Sequence, residues 1–74
     1  MMVVDCLTVN SGNGAVTDLV LDECIPNTFV KTIFVDNTYY DCSIIYPSPI
    51  PLDGIRTIAV QGEHDFKGKE IELI

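Results

Sequence analysis

The chain has 74 residues, 47% of them apolar, and a formal charge of −7 from 11 acids against 4 bases. That length sets one domain, 1–74, which buries only about 60% of the surface its unfolded chain exposes, while the apolar content excludes a disordered polyelectrolyte. The acidity disfavours direct nucleic-acid binding, and no apolar run reaches the roughly 18 residues of a membrane-spanning helix.

The acids are unevenly placed. Residues 1–27 hold Asp5, Asp18, Asp22 and Glu23 with no base, a net of −4, whereas 28–55 carry −2 and 56–74 only −1, because Arg56, Lys67 and Lys69 fall there. The opening MMVVDC lacks the basic flank and apolar length of a secretion signal, so the expected location is the cytoplasm, or the host cytoplasm for a viral protein.

Residues 3–9 read as a strand, and Asn10-Ser-Gly-Asn-Gly14 as a turn. A phosphate-cradling loop would need a Gly-Lys-Ser/Thr ending, which is missing. Residues 15–24 fit two periods. Strand alternation groups Ala15, Thr17, Leu19 and Leu21, and helical spacing groups Val16, Leu19, Val20 and Cys24. The preceding glycine turn favours the strand, and Pro26 ends either element.

The stretch 28–46, TFVKTIFVDNTYYDCSIIY, is the longest run of β-branched and aromatic residues. It breaks once, at Asp36-Asn37-Thr38, and folds into a hairpin expected at the sheet centre. A two-residue loop at Asn37-Thr38 sets Val35 opposite Tyr40, Ile33 opposite Cys42, Lys31 opposite Ile44 and Phe29 opposite Tyr46, all on the core face. Moving the loop to Asp36-Asn37 keeps that grouping. The reverse face carries Val30, Thr32, Phe34, Asp36, Tyr39, Asp41, Ser43 and Ile45.

Pro47, Pro49 and Pro51 lie two apart, so their missing N–H groups would all face one side of an edge strand blocked against pairing. Asp53-Gly54 suits a two-residue hairpin turn into a strand at 55–61. The Pro-x-x-Pro spacing of a proline-rich ligand is absent. Residues 62–69, GEHDFKGK, read as a solvated polar loop holding the only histidine. The segment 69–74 then alternates as a last strand, with Ile71 and Leu73 on one face.

Cys6, Cys24 and Cys42 recur every 18 residues, each after an acid, but the surrounding residues do not repeat. With His64 they make up a four-ligand zinc set in type, without the Cys-x-x-Cys spacing of such sites; buried thiols acting as small hydrophobes are the commoner case. Cys42 or Cys24 with His64 and Asp65 could be written as nucleophile, base and orienter, yet no glycine turn of the oxyanion type abuts a cysteine. No metal, cofactor or catalytic residue is therefore expected.

The expected fold is mainly β: a small antiparallel sheet or open barrel of five to six strands, with room for one short helix. The expected role is that of an interaction protein, an inhibitor or adaptor of the sort phages and mobile elements encode against host defences. It would dock on a basic surface of a larger nucleic-acid-handling complex through Asp5, Asp18, Asp22, Glu23, Asp36, Tyr39 and Asp41. The alternatives are a structural subunit of a virion or other assembly, homo-oligomers included, and, third, a small enzyme or zinc-site protein.

Overall fold

The computed structural model describes residues 1–26 and 29–74. It is an open antiparallel sheet of six strands: β1 (Val3–Ser11), β2 (Gly14–Leu21), β3 (Thr32–Val35), β4 (Thr38–Ile44), β5 (Thr57–Gln61) and β6 (Glu72–Leu73). Their order across the sheet is β1-β2-β5-β4-β3-β6, and the described residues include no helix. The β1–β2 and β3–β4 hairpins are local, and β5 lies between them, paired to β2 on one side and to β4 on the other. The hairpin expected at the centre is thus displaced to one half, and the middle pair is β5–β4.

The sheet curls until its first and last edges meet at one corner. Met2 bridges to Glu70, Val3 N–H donates to the Lys69 carbonyl at 3.0 Å, and Gly68 N–H and Ile71 N–H donate to the carbonyls of Val3 and Met1, each at 2.7 Å. Beyond that corner the outer edge of β1 is open.

β1 and β2 are joined through Gly12-Asn13, since Ser11 pairs with Gly14, and Gly14 takes a φ of 106° that a residue with a Cβ rarely adopts. The ambiguous 15–24 segment is a strand as far as Leu21, with Thr17, Leu19 and Leu21 buried in alternation. A bulge between Val3 and Asp5 shifts the β1 register. Val3 points into the core with Leu21, but past the bulge it is Cys6 and Thr8 that stand opposite Leu19 and Thr17, so Leu7 and Val9 face outward.

The β3–β4 turn is Asp36-Asn37, with Val35 opposite Thr38, Phe34 opposite Tyr39 and Ile33 opposite Tyr40. Both turn residues have positive φ, 52° and 60°, the two-residue geometry whose twist suits a hairpin. The loop expected at Asn37-Thr38 is therefore one residue early, which preserves the faces: Ile33 and Val35 are buried, and Tyr40, Cys42 and Ile44 pack against the core.

The hairpin is also shorter than expected. Its last cross-strand bond is from Cys42 N–H to the Lys31 carbonyl at 2.8 Å. Before that point Phe29 is 84% exposed and Lys31 is exposed, while Val30 is buried, the reverse of the predicted facing. Tyr46 is exposed too. At the far end of β4 the ladder is taken over by β5, through Ile45 N–H to the Thr57 carbonyl at 3.1 Å. The expected start at Thr28 lies outside the described residues.

The proline segment forms no strand. Residues 45–56 are an irregular connection, because three residues without N–H groups cannot sustain a ladder. Its tight turn closes from Gly54 N–H to the Pro51 carbonyl at 3.1 Å around Leu52-Asp53, one residue before the expected Asp53-Gly54. Leu52 is fully exposed at its tip. The segment 62–69 is not merely solvated, since it carries Phe66 into the core, 6% exposed. The final alternation holds: Ile71 is buried and Leu73 packs on the core.

The core is one cluster, Val3, Leu19, Leu21, Ile33, Val35, Ile58, Val60, Phe66 and Ile71. Each such side chain contributes roughly 1.5–3 kcal/mol on burial. Every strand except β4 and the two-residue β6 supplies a member, so the sheet closes over its own inner face.

Candidate functional site

Alternation in the paired strands fixes what the outer face displays. β1 contributes Asp5, Leu7 and Val9, β2 contributes Val16, Asp18 and Val20, β5 contributes Thr57, Ala59 and Gln61, and β4 contributes Ser43, Asp41 and Tyr39. Across these four adjacent strands, about 14 Å wide at the usual strand spacing, apolar and acidic side chains interleave. Leu7 is 65% exposed and Val9 is exposed beside it. Asp5, Leu7, Asp18, Val20, Ile45 and Thr57 line a shallow groove of about 280 Å³.

Of the sequence-predicted residues, Asp5, Asp18, Asp41 and Tyr39 share this outer face. None of the three acids has an ion-pair partner among the described residues. Tyr39 is 66% exposed, and its ring lies 4.7 Å from that of Phe34 on the neighbouring strand.

The other three candidates sit apart. Asp22 accepts from Met2 N–H at 2.9 Å, and its carbonyl accepts from Arg56 at 3.0 Å, so it anchors the end of β2. Glu23 is exposed next to it. Asp36 lies in the β3–β4 turn and pairs with Lys69 at 3.1 Å. Exposed ion pairs of this kind are worth at most about 1 kcal/mol, but they neutralise the charge a partner would see.

Two further depressions compare poorly as docking sites for a cation. One of about 550 Å³ includes Lys31 and Tyr46 in its lining. The other, about 400 Å³, lies against Asp36, Glu70 and Glu72, where Asp36 is held by Lys69 and Glu70 by the Met1 ammonium at 3.1 Å.

The thiols and the histidine are placed by separate contacts. Cys6 donates to Asp65 at 3.8 Å, and Cys24 donates to the Asp53 carbonyl. Cys42 faces the core, where burial, followed by the charge of Asp41, pushes its thiol above the ordinary value. No group of three or more His, Cys, Asp or Glu gathers at metal-binding range among the described residues. His64 stacks on Phe66, centroids 4.9 Å apart, meets Tyr40 edge-on at 4.9 Å, and bonds the Gln61 carbonyl through Nε2 at 2.8 Å. A carbonyl only accepts, so Nε2 carries the proton. Asp65 is bonded to Cys6 and does not orient that ring, so the Cys–His–Asp arrangement weighed from the sequence is not assembled.

What sequence reading missed is Thr17, the one buried polar residue among those described. Its hydroxyl donates to the Gly62 carbonyl at 2.7 Å and accepts from His64 N–H at 3.0 Å. Since its single hydrogen is committed to Gly62, the 3.0 Å contact with the Thr8 hydroxyl must have Thr8 as donor. This hub ties the 62–69 segment to β2. The only sequence signal was a threonine within the apolar alternation of that strand.

No protein-family model matches the chain, and no curated protein or solved structure matches it either.

Proposed function

We propose that the chain is an acidic protein-binding domain, an inhibitor or adaptor whose outer β1–β2–β5–β4 face docks on a basic surface of a larger nucleic-acid-handling complex. The observation that carries this reading is the composition of the face. Exposed Leu7 and Val9 supply area to bury, Asp5 and Asp18 flank them, and Asp41 stands across the face on β4, none of the three with an ion pair among the described residues. A basic surface built for phosphate is attracted by such a face at long range, and the apolar groups hold once contact is made. The net charge of −7 gives the same sign to the whole molecule, so steering does not depend on fine orientation.

The test is the salt dependence of association with a partner first obtained by affinity capture. Asp5→Lys, Asp18→Lys and Asp41→Lys together should slow association about tenfold or more at low ionic strength, and the difference should shrink as salt shortens the screening length to about 8 Å. Tyr39→Ala should instead speed dissociation. An unchanged association rate in the triple variant, with its β circular dichroism intact, refutes the docking reading and leaves the acidity as a solubility feature.

A further inference from the structure

Past the β1 bulge, backbone groups alternate between pairing with β2 and facing away from it. Three observations fix which is which. Val3, before the bulge, directs its N–H and C=O toward residues 68–69. Leu21 N–H donates to the Arg56 carbonyl and the Ala15 carbonyl accepts from Gly62 N–H, on the β5 side of β2, so the even-numbered β2 residues face β1 and bond Asp5, Leu7 and Val9. Finally, Cys6 N–H is taken by the Asp5 carboxylate at 3.0 Å, not by β2. The Cys6 carbonyl and the N–H and C=O of Thr8 and Asn10 therefore point to the open side, where no loop or strand bonds them among the described residues.

Edge strands usually carry a lysine, a proline or a covering element against unwanted pairing. β1 has no lysine and no proline, and past the bulge the guard seen among the described residues is Asp5 folded over one N–H. Beside the open edge the charges are largely of one sign. Asp5 lies on the outer side; on the inner side Asp65 borders Cys6, and Glu63 is near it in sequence. The nearest unpaired base in that loop is Lys67. β1 and β2 hold no base at all.

We propose that the free edge of β1 accepts an extended, basic segment of a protein partner as an added strand, with apolar side chains beside Leu7 and Val9 and lysine or arginine on the side of Asp65. The inference rests on the acidic docking reading above and specifies its mode. Main-chain bonds to Thr8 and Asn10 hold the strand, and charge selects it. A second copy of this chain would bring a charge of −7 against −7, which favours the basic segment as occupant.

The probe is an acetylated, amidated heptapeptide of alternating lysine and valine, titrated into ¹⁵N-labelled protein, with a glutamate–valine peptide as control. Hydrogen exchange at the Thr8 and Asn10 amides should slow about tenfold or more at saturation. Asn10→Pro removes one outward N–H without touching the β2 ladder and should weaken binding about fivefold or more. Shifts confined to Asp18, Asp41 and Tyr39, with Thr8 and Asn10 exchange unchanged, overturn strand addition while leaving the basic-partner reading standing. Equal binding of the glutamate peptide overturns the basic class. Concentration-dependent protection of Thr8 and Asn10 in the free protein assigns the edge to a second copy and also overturns the proposal, as does the absence of any shift with the lysine peptide.

Discussion

Replacing Thr17 with valine keeps the side chain close to its shape and removes only the hydroxyl. Two backbone groups then lose their partner, the Gly62 carbonyl and the His64 N–H, held at 2.7 and 3.0 Å. A polar group left unsatisfied in the interior costs about 1–3 kcal/mol. Gly62 and His64 are only half-buried, so water recovers part of this, and the expected loss is about 2–3 kcal/mol. Domains of this size have roughly 4–11 kcal/mol in total at 0.05–0.15 kcal/mol per residue, so the change is large. With a urea slope near 1 kcal/mol/M the midpoint should fall by about 2–3 M at unchanged slope. Thr17→Ser keeps the hydroxyl and loses a methyl, worth about 1 kcal/mol. If the valine variant stays within about 0.5 kcal/mol of the parent and the serine variant is the weaker of the two, the methyl and not the hydrogen-bond hub is what stabilises this site.

Phe66→Ala removes the buried member of the Tyr40–His64–Phe66 ring cluster and should cost about 3–5 kcal/mol, read from the urea midpoint, with a matching loss of exchange protection across 62–69. At the β3–β4 turn, Asn37→Val puts a β-branched residue at a φ of 60° and should cost about 1–2 kcal/mol, whereas Asn37→Gly should be neutral or slightly stabilising. Cys42 should react with iodoacetamide at pH 8.5 more slowly than a free thiol, since burial first and Asp41 second raise its pKa; Asp41→Asn should speed it. The sign for stability follows: the Cys42 contribution is complete below the ordinary thiol value and is lost as pH rises through the higher folded value, so urea midpoints should decline on the alkaline side.

Much of the fold was legible because a period of two is hard to mistake where one face must be dry. Thr17, Leu19 and Leu21, Ile33 and Val35, and Ile71 and Leu73 all fell on the face their alternation indicated. The β3–β4 loop was placed one residue late, and this cost nothing, because both registers share a parity. The errors came where tertiary pairing overrides local pattern. Phe29 and Lys31 continue the alternation of β3 on paper, but the ladder stops at Lys31. The prolines and Asp53-Gly54 carry the marks of a hairpin, yet no partner strand is available to them. Phe66 sits among Glu63, His64, Asp65 and Lys67, and a single aromatic in a polar stretch has no periodicity to announce that it is a plug. The candidate site was partly legible: alternation alone puts Tyr39 and Asp41 on the reverse face, whereas the engagement of Asp22 and Asp36 within the fold depends on Met2, Arg56 and Lys69, distant in sequence.

The position of β5 between two local hairpins sets how the chain reaches this state. Each hairpin closes through a two-residue turn and can form within about 1–10 μs, but an isolated hairpin is marginal in water. Leu19 and Leu21 on one, and Ile33 and Val35 on the other, stay wet until Ile58 and Val60 arrive between them. That arrival requires closing the long 45–56 connection and ordering pairs far apart in sequence, an entropic cost met before any core contact offsets it. Folding is therefore expected to be governed by one late docking step, in roughly milliseconds to seconds as for other β topologies of this kind, with the hairpins that form first the parts least able to persist alone.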